Sequence, residues 1–149
     1  MISYRDMIAL DVPILVGLEK SIFPESPWSA AQFKEELTGV PRTRKYVVAM
    51  DDNELVGYGG IALAGNVADI HTLTVIPTYR KRGIATEMLR LLENWANEKE
   101  VTAFMLEMRE GNAEAQPLYE KHGYSVVSRR DNYYAPGIHA LIMRKELAK

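Results

Sequence analysis

The sequence predicts an α/β (α+β) fold on a mixed, mostly antiparallel sheet of about seven strands. Three observations carry this. Residues 46–50 and 55–58 are β-rich runs around the polar turn Asp51-Asp52-Asn53, a hairpin signal, and residues 67–76 extend it to a meander. The stretch 84–96 is strongly amphipathic and lies between two strand-like runs, so it calls for a crossover joining parallel strands. The 149 residues show no repeat, low-complexity tract or linker-like shift, so a single domain over 1–149 is expected.

In chain order, a short extended start at 2–5 precedes a first helix over about 11–22, in which Ile14, Leu15, Leu18 and Ile22 share a helical spacing. Phe23-Pro24-Glu25-Ser26-Pro27-Trp28 breaks it. Ser29 then stands at an N-cap position ahead of Phe33 and Leu37, giving a second helix that ends near Gly39. After the hairpin, Gly65-Asn66 marks a turn and Pro77 stops the third strand of the meander. Ile84, Ala85, Met88, Leu89, Leu92, Trp95 and Ala96 repeat on one helical face. Residues 101–108 read as a buried strand, 112–122 as a short helix, and 124–133 with 139–144 as a closing pair of strands. The order is β, α, α, β, β, β, α, β, α, β, β.

Composition narrows the function. The chain is 47% hydrophobic and 26% charged, as an ordinary soluble domain is, and no apolar run is long enough to span a membrane. The start, Met1-Ile2-Ser3-Tyr4-Arg5-Asp6, does not read as a signal peptide, so a cytoplasmic location is expected. Without cysteine there is no disulfide, thiolate metal site or acyl-cysteine intermediate. A net charge of -2 gives no support for nucleic-acid binding, and the local cluster Arg80, Lys81, Arg82 suits a small phosphorylated ligand better. His71, His122 and His139 have no metal-ligand spacing, so no metal is expected.

The segment Leu73 to Thr86 is the most informative: a strand, a basic glycine-containing loop, and a helix start. A helix N-terminus presents unpaired N–H groups and the positive end of its dipole, which together can cradle a pyrophosphate. Gly83 and Ala85 let main chain come close to a ligand. The alternative is a basic, solvated helix start.

Arg80-Lys81-Arg82-Gly83-Ile84-Ala85 resembles the Arg/Gln-x-x-Gly-x-Gly/Ala signature with which acetyltransferases of the GNAT family bind the coenzyme A pyrophosphate. The element order agrees, and the resemblance covers nearly the whole chain. It extends to the bacterial RimI group, the ribosomal-protein-alanine N-acetyltransferases. Pro27-Trp28-Ser29, the run from Leu106-Glu107-Met108-Arg109-Glu110-Gly111-Asn112-Ala113-Glu114-Ala115 into Leu118-Tyr119-Glu120-Lys121-His122-Gly123-Tyr124, and Arg130-Asp131-Asn132-Tyr133-Tyr134 carry that narrower match. The resemblance implies a GNAT-like domain with helices on both faces of its sheet and acetyl-CoA as co-substrate. Leu73, Thr74 and Val75 would bond the acetyl and pantetheine part, and Arg80, Lys81, Arg82, Gly83, Ile84, Ala85 and Thr86 the pyrophosphate. Asn112 and Tyr119 would add cofactor contacts.

Two candidates bear on proton transfer. Glu107 ends the apolar run Phe104-Met105-Leu106, where partial burial would raise a carboxyl pKa and favour a proton acceptor. The competing reading is a salt bridge with Arg109 or Arg130, and the resemblance implies the general base. Tyr119 is either an amphipathic core residue or, by the resemblance, the proton donor to the leaving thiolate. Asp69 and His71 are rivals for the base, placed by strand alternation on one face with Leu73 and Val75. Trp28, Tyr133 and Tyr134 are expected around the acceptor or, alternatively, packed at the core's edge.

The function so implied is acetyl transfer to the N-terminal α-amine of a protein, with the N-terminal alanine of a small-subunit ribosomal protein as acceptor, by direct attack in a ternary complex. An acetyltransferase for a small amine is one alternative. A non-catalytic acyl-CoA sensor or partner subunit is another. A monomer without membrane or direct nucleic-acid contacts is expected.

Overall fold

The computed structural model describes residues 1–112 and 115–147. Seven strands form one sheet: β1 (Ile2–Asp6), β2 (Arg44–Asp51), β3 (Glu54–Ala64), β4 (Val67–Val75), β5 (Ala103–Arg109), β6 (Ser125–Ala135) and β7 (Ile138–Glu146). Four helices accompany them: α1 (Val12–Ile22), α2 (Ala30–Leu37), α3 (Ile84–Asn97) and α4 (Ala115–Lys121). The expected short helix at 112–122 is thus α4, and Ala113 and Glu114 lie outside the described residues. Each strand and helix read from the sequence is present, in the order expected.

Local chemistry accounts for the boundaries. Ser29 Oγ accepts the Gln32 N–H at 3.2 Å while Gln32 Oε1 accepts the Ser29 N–H at 2.8 Å, a reciprocal capping box that starts α2. Asp52 and Gly65 adopt positive φ in the two hairpin turns, and Pro77 follows β4 at a short 3-10 turn.

The strand order is β1-β2-β3-β4-β5-β7-β6, so β7 is inserted between β5 and β6. All pairings are antiparallel except β4 with β5. Four consecutive residues of β2, Tyr46 to Ala49, are buried, because helices cover both faces of the sheet. One apolar cluster joins Val12 and Leu15 of α1 and Phe33 of α2 to Tyr46, Val48 and Tyr58. The other joins Met88, Leu89 and Leu92 of α3 and Tyr119 of α4 to Val47, Ala49, Ile70, Phe104 and Met143. Among the described residues, no helix is long and apolar enough to cross a membrane.

Candidate active site

β4 and β5 pair only over Val67 to Ile70 and Ala103 to Leu106. Beyond that, β4 stays with β3 and β5 with β7, so the two strands part. A cleft of about 950 Å³ opens there, lined by residues of α1, the α1–α2 connection, α2, β4, β5, α4 and the β6–β7 pair. Ile76 N–H donates to Val56 C=O at 2.9 Å. In the same register Thr74 faces Tyr58 and Thr72 faces Gly60 as bonded pairs, so the main-chain groups of Leu73 and Val75 point to the open side. Of the three β4 residues expected to bond a ligand through main chain, Thr74 is therefore engaged with β3. Its side chain is buried and lines the cleft.

The expected shared face of Asp69, His71, Leu73 and Val75 does not hold. Gly60 pairs with Thr72 and Ile61 with Ile70, which leaves His71 as the extra residue of a β-bulge, and the alternation reverses there. Leu73 and Val75 pack into the α3 cluster. His71 instead reaches the α2 side, where its Nδ1 lies 3.0 Å from Glu36 Oε1 and 3.2 Å from the Tyr46 hydroxyl. Glu36 also accepts Arg44 Nε at 2.7 Å and the Tyr46 O–H at 2.9 Å. Burial acts against the Glu36 carboxylate, but the Tyr46 hydrogen bond and the neighbouring His71 and Arg44 hold its pKa below the ordinary value.

Past the end of β4, Gly83 caps α3 with φ +81°. A Cβ there would meet no protein atom within 4 Å, so the left-handed backbone is what favours glycine within the chain itself, and the space in front of it is open. Glu87 N–H is bonded back to Gly83 C=O at 3.1 Å, and the first-turn N–H groups of Ile84, Ala85 and Thr86 precede any intrahelical partner. Lys81 also has positive φ. Arg80 Nε donates to Val75 C=O at 3.1 Å and Arg82 Nη2 to Thr78 C=O at 3.3 Å, leaving both cations uncompensated by these acceptors. The Arg82 guanidinium lies 4.6 Å from the centre of the Tyr79 ring, whose hydroxyl donates to Asp51 at 2.6 Å. Open space, main-chain donors and cationic side chains together fit a pyrophosphate.

Glu107 and Tyr119 both line the cleft. The partial burial expected of Glu107 is not found, because the residue is exposed at the rim. Of its two expected partners the structure pairs it with Arg130, at 3.6 Å; Arg109 is engaged elsewhere. Tyr119 is buried, edge-on to Tyr124 at 5.6 Å between ring centres. Burial, helped by Tyr134, pushes its pKa well above that of a free tyrosine. Asn112 lines the cleft too, and its Oδ1 accepts the Ala115 N–H at 3.0 Å, so it also caps α4.

The acceptor candidates line the cleft from two segments, Trp28 from the α1–α2 connection and Tyr133 with Tyr134 from the β6–β7 pair. Trp28 packs on Phe33 at 5.1 Å at the core's edge while also lining the cleft. Tyr133 and Tyr134 meet edge to face at 5.2 Å. Burial and then the Glu107 charge raise the Tyr134 pKa to about 12, against the opposing Arg109. Sequence reasoning missed Glu19, whose buried carboxylate accepts the Tyr58 O–H at 2.5 Å and the Trp28 N–H at 2.8 Å. It also missed the Glu36, Tyr46 and His71 cluster. Both assemble residues from separate elements, and no spacing in the chain signals them.

The model of the acetyltransferase (GNAT) family matches residues 14–124, and the chain belongs to that family. It is an acetyl-CoA dependent N-acetyltransferase. A Bacillus subtilis relative, a putative [ribosomal protein bS18]-alanine N-acetyltransferase, is 34% identical over 142 residues, covering 95% of this chain and 93% of its own. The N-alpha-acetyltransferase RimI of Mycobacterium tuberculosis is 36% identical over 135 residues, 87% of this chain and 82% of its own. An uncharacterized protein of Mycobacterium leprae is 36% identical over 142 residues, and the chain spans 38% of that relative's length. The ribosomal-protein-S18-alanine N-acetyltransferase from Escherichia coli has the same fold, with a TM-score of 0.83 at 22% identity over 100% of this chain and 96% of that one.

Proposed function

We propose that this chain acts in the cytoplasm to transfer the acetyl group of acetyl-CoA to the N-terminal α-amine of a protein, with the N-terminal alanine of a small-subunit ribosomal protein as acceptor. The observation that carries this is the convergence of Glu107, Tyr119 and the β4 edge at Leu73 on one cleft also lined by Trp28, Tyr133 and Tyr134. The names of the Bacillus and Mycobacterium tuberculosis relatives support the choice of an α-amine.

Acetyl-CoA, when bound, supplies an acetyl group activated as a thioester. The first-turn N–H groups of α3, with Arg80, Lys81 and Arg82, hold the pyrophosphate, and the edge of β4 at Leu73 and Val75 holds the pantetheine arm. Trp28, Tyr133 and Tyr134 grip the extended acceptor. A peptide α-amine has a pKa of about 8 and is mostly protonated at neutral pH, so it must lose a proton before it attacks. Glu107, at the cleft rim, takes that proton directly or through one water. N–H groups of the β4 edge stabilise the negative charge that develops on the carbonyl oxygen. Tyr119 faces the leaving sulfur. A thiol has a pKa of about 8.5 and Tyr119 sits far above that, so its hydroxyl stabilises the thiolate as a hydrogen-bond donor while keeping its own proton.

The test is mass spectrometry of a synthetic peptide carrying the ribosomal N-terminus after incubation with acetyl-CoA, beside the same peptide with a blocked α-amine and a panel of small amines. Acetylation of the free N-terminus alone is expected. Modification of small amines alone would replace the protein acceptor with a metabolite.

A further inference from the structure

We propose that Arg109 is a positioning residue, a clasp that holds the two acceptor walls of the cleft at a fixed separation; this rests on the acceptor side assigned above. Arg109 ends β5, two residues beyond Glu107 and on the same strand face. Its guanidinium lies between two rings, 4.7 Å from the centre of Phe23 and 4.9 Å from that of Tyr134. Nη1 donates to Glu25 Oε2 at 2.9 Å, and Nη2 donates to Ser26 Oγ. The side chain is only 19% exposed.

Phe23, Glu25 and Ser26 belong to the connection between α1 and α2, whereas Tyr134 belongs to the β6–β7 pair. One planar cation thus ties together two segments about a hundred residues apart in sequence that both line the cleft. The far end of the α1–α2 connection is pinned separately, by Glu19 on the Trp28 N–H. The near end keeps its own turn bonds, Phe23 N–H to Glu19 C=O at 2.8 Å and Ser26 N–H to Phe23 C=O at 3.2 Å, and Arg109 is what ties it to β5 and Tyr134. None of Phe23, Glu25, Ser26, Arg109 and Tyr134 belongs to either apolar cluster, so the clasp shapes the acceptor walls more than it stabilises the fold. The geometry needs arginine: lysine could keep the charge beside Glu25, but it lacks the flat fork that stacks on two rings while donating sideways.

The experiment compares Arg109→Lys, Arg109→Ala and Glu25→Gln with the unaltered chain, using steady-state kinetics on the free-N-terminus peptide and hydrogen exchange. Both Arg109 variants are expected to raise the peptide KM about tenfold, with the KM for acetyl-CoA within about twofold of the original. Lysine is not expected to rescue. Exchange at residues 23–29 and 133–136 should accelerate while α3 and β3 stay as they were. Unchanged peptide KM with unchanged exchange in a folded Arg109→Ala variant would overturn the proposal, as would full rescue by lysine. If Arg109→Ala does not fold, Glu25→Gln decides: a severalfold rise in peptide KM with faster exchange at 23–29 supports the clasp, and no change in either refutes it. If the unaltered chain acetylates no peptide, the acceptor reading fails by itself, and the exchange data still decide whether Arg109 holds the two segments.

Discussion

Gly60 of β3 lies directly against the ring of Tyr46: a Cβ on Gly60 would come within 2.0 Å of the ring's Cε2. Tyr46 is 1% exposed and carries its hydroxyl to Glu36 and His71, so bare main chain at Gly60 lets that ring lie where its hydroxyl meets two residues that line the cleft. Gly60→Ala must displace ring or strand. It is expected to cost about 1–3 kcal/mol, read as a lower midpoint in urea unfolding; an unchanged midpoint would mean the ring has room to move.

Glu19 is 2% exposed and serves both Tyr58 and Trp28. Glu19→Ala leaves a buried hydroxyl and a main-chain N–H without their acceptor, at a cost of about 2–4 kcal/mol. Tyr58→Phe removes one donor of the pair and should cost less. Equal losses in thermal unfolding of the two variants would contradict the double role of the carboxylate.

Gly83→Ala places a side chain where φ is +81°, in front of the proposed pyrophosphate cradle. The expected penalty is about 1–2 kcal/mol in folding. Calorimetric titration with coenzyme A should also show about tenfold weaker binding, since the new methyl enters the open space. Unaltered affinity would move the cradle away from this turn.

Glu107→Gln is expected to lower kcat about 10²–10⁴-fold at saturating acetyl-CoA, while coenzyme A binding stays intact. Tyr119→Phe should lower kcat by a smaller factor. Because burial holds the Tyr119 proton far above neutrality, the alkaline limb of the pH–rate profile should survive in Tyr119→Phe. Loss of that limb would make Tyr119 the titrating group.

Asp11 is buried and takes both arms of Arg5 at 2.9 Å. The Arg5 hydrogen bond, with the Ile8 N–H and the Arg5 charge, lowers its pKa below 3.8 in spite of burial. A carboxylate whose folded pKa is depressed adds stability in full above its unfolded value and loses it as pH falls through the folded one. The thermal-stability gap between the unaltered chain and Asp11→Asn should therefore be constant from neutrality to about pH 5 and shrink below about pH 4. A gap that persists undiminished into strong acid would show that charge is not its source.

How much was legible varies from element to element. α3 was plain because Met88, Leu89, Leu92 and Ala96 recur on one face, and all four are buried. The turn at Gly83 was plain because a basic loop opening into a helix is a local arrangement. The place of β7 was harder, since two strands follow α4 and either could join β5. One sign was available: Ala140-Leu141-Ile142-Met143 is an unbroken apolar run, whereas 128–132 is polar and charged throughout, and the structure buries the first and exposes residues 125–133, as an edge strand's residues tend to be.

Element identity, the basic loop ahead of α3 and the family are written in short-range features, because helix and strand periods and a six-residue motif each involve neighbours in the chain. Three features of the site are not. The face taken by His71 depends on one bulged residue, which reverses every later side chain without altering composition. The free edge of β4 depends on where two parallel strands stop pairing, and the partners of Glu107 and Arg109 depend on loops that meet only after the sheet has formed. Register and long-range packing set all three, and a pattern of alternating apolar and polar residues neither locates a bulge nor names the partners that distant loops bring together.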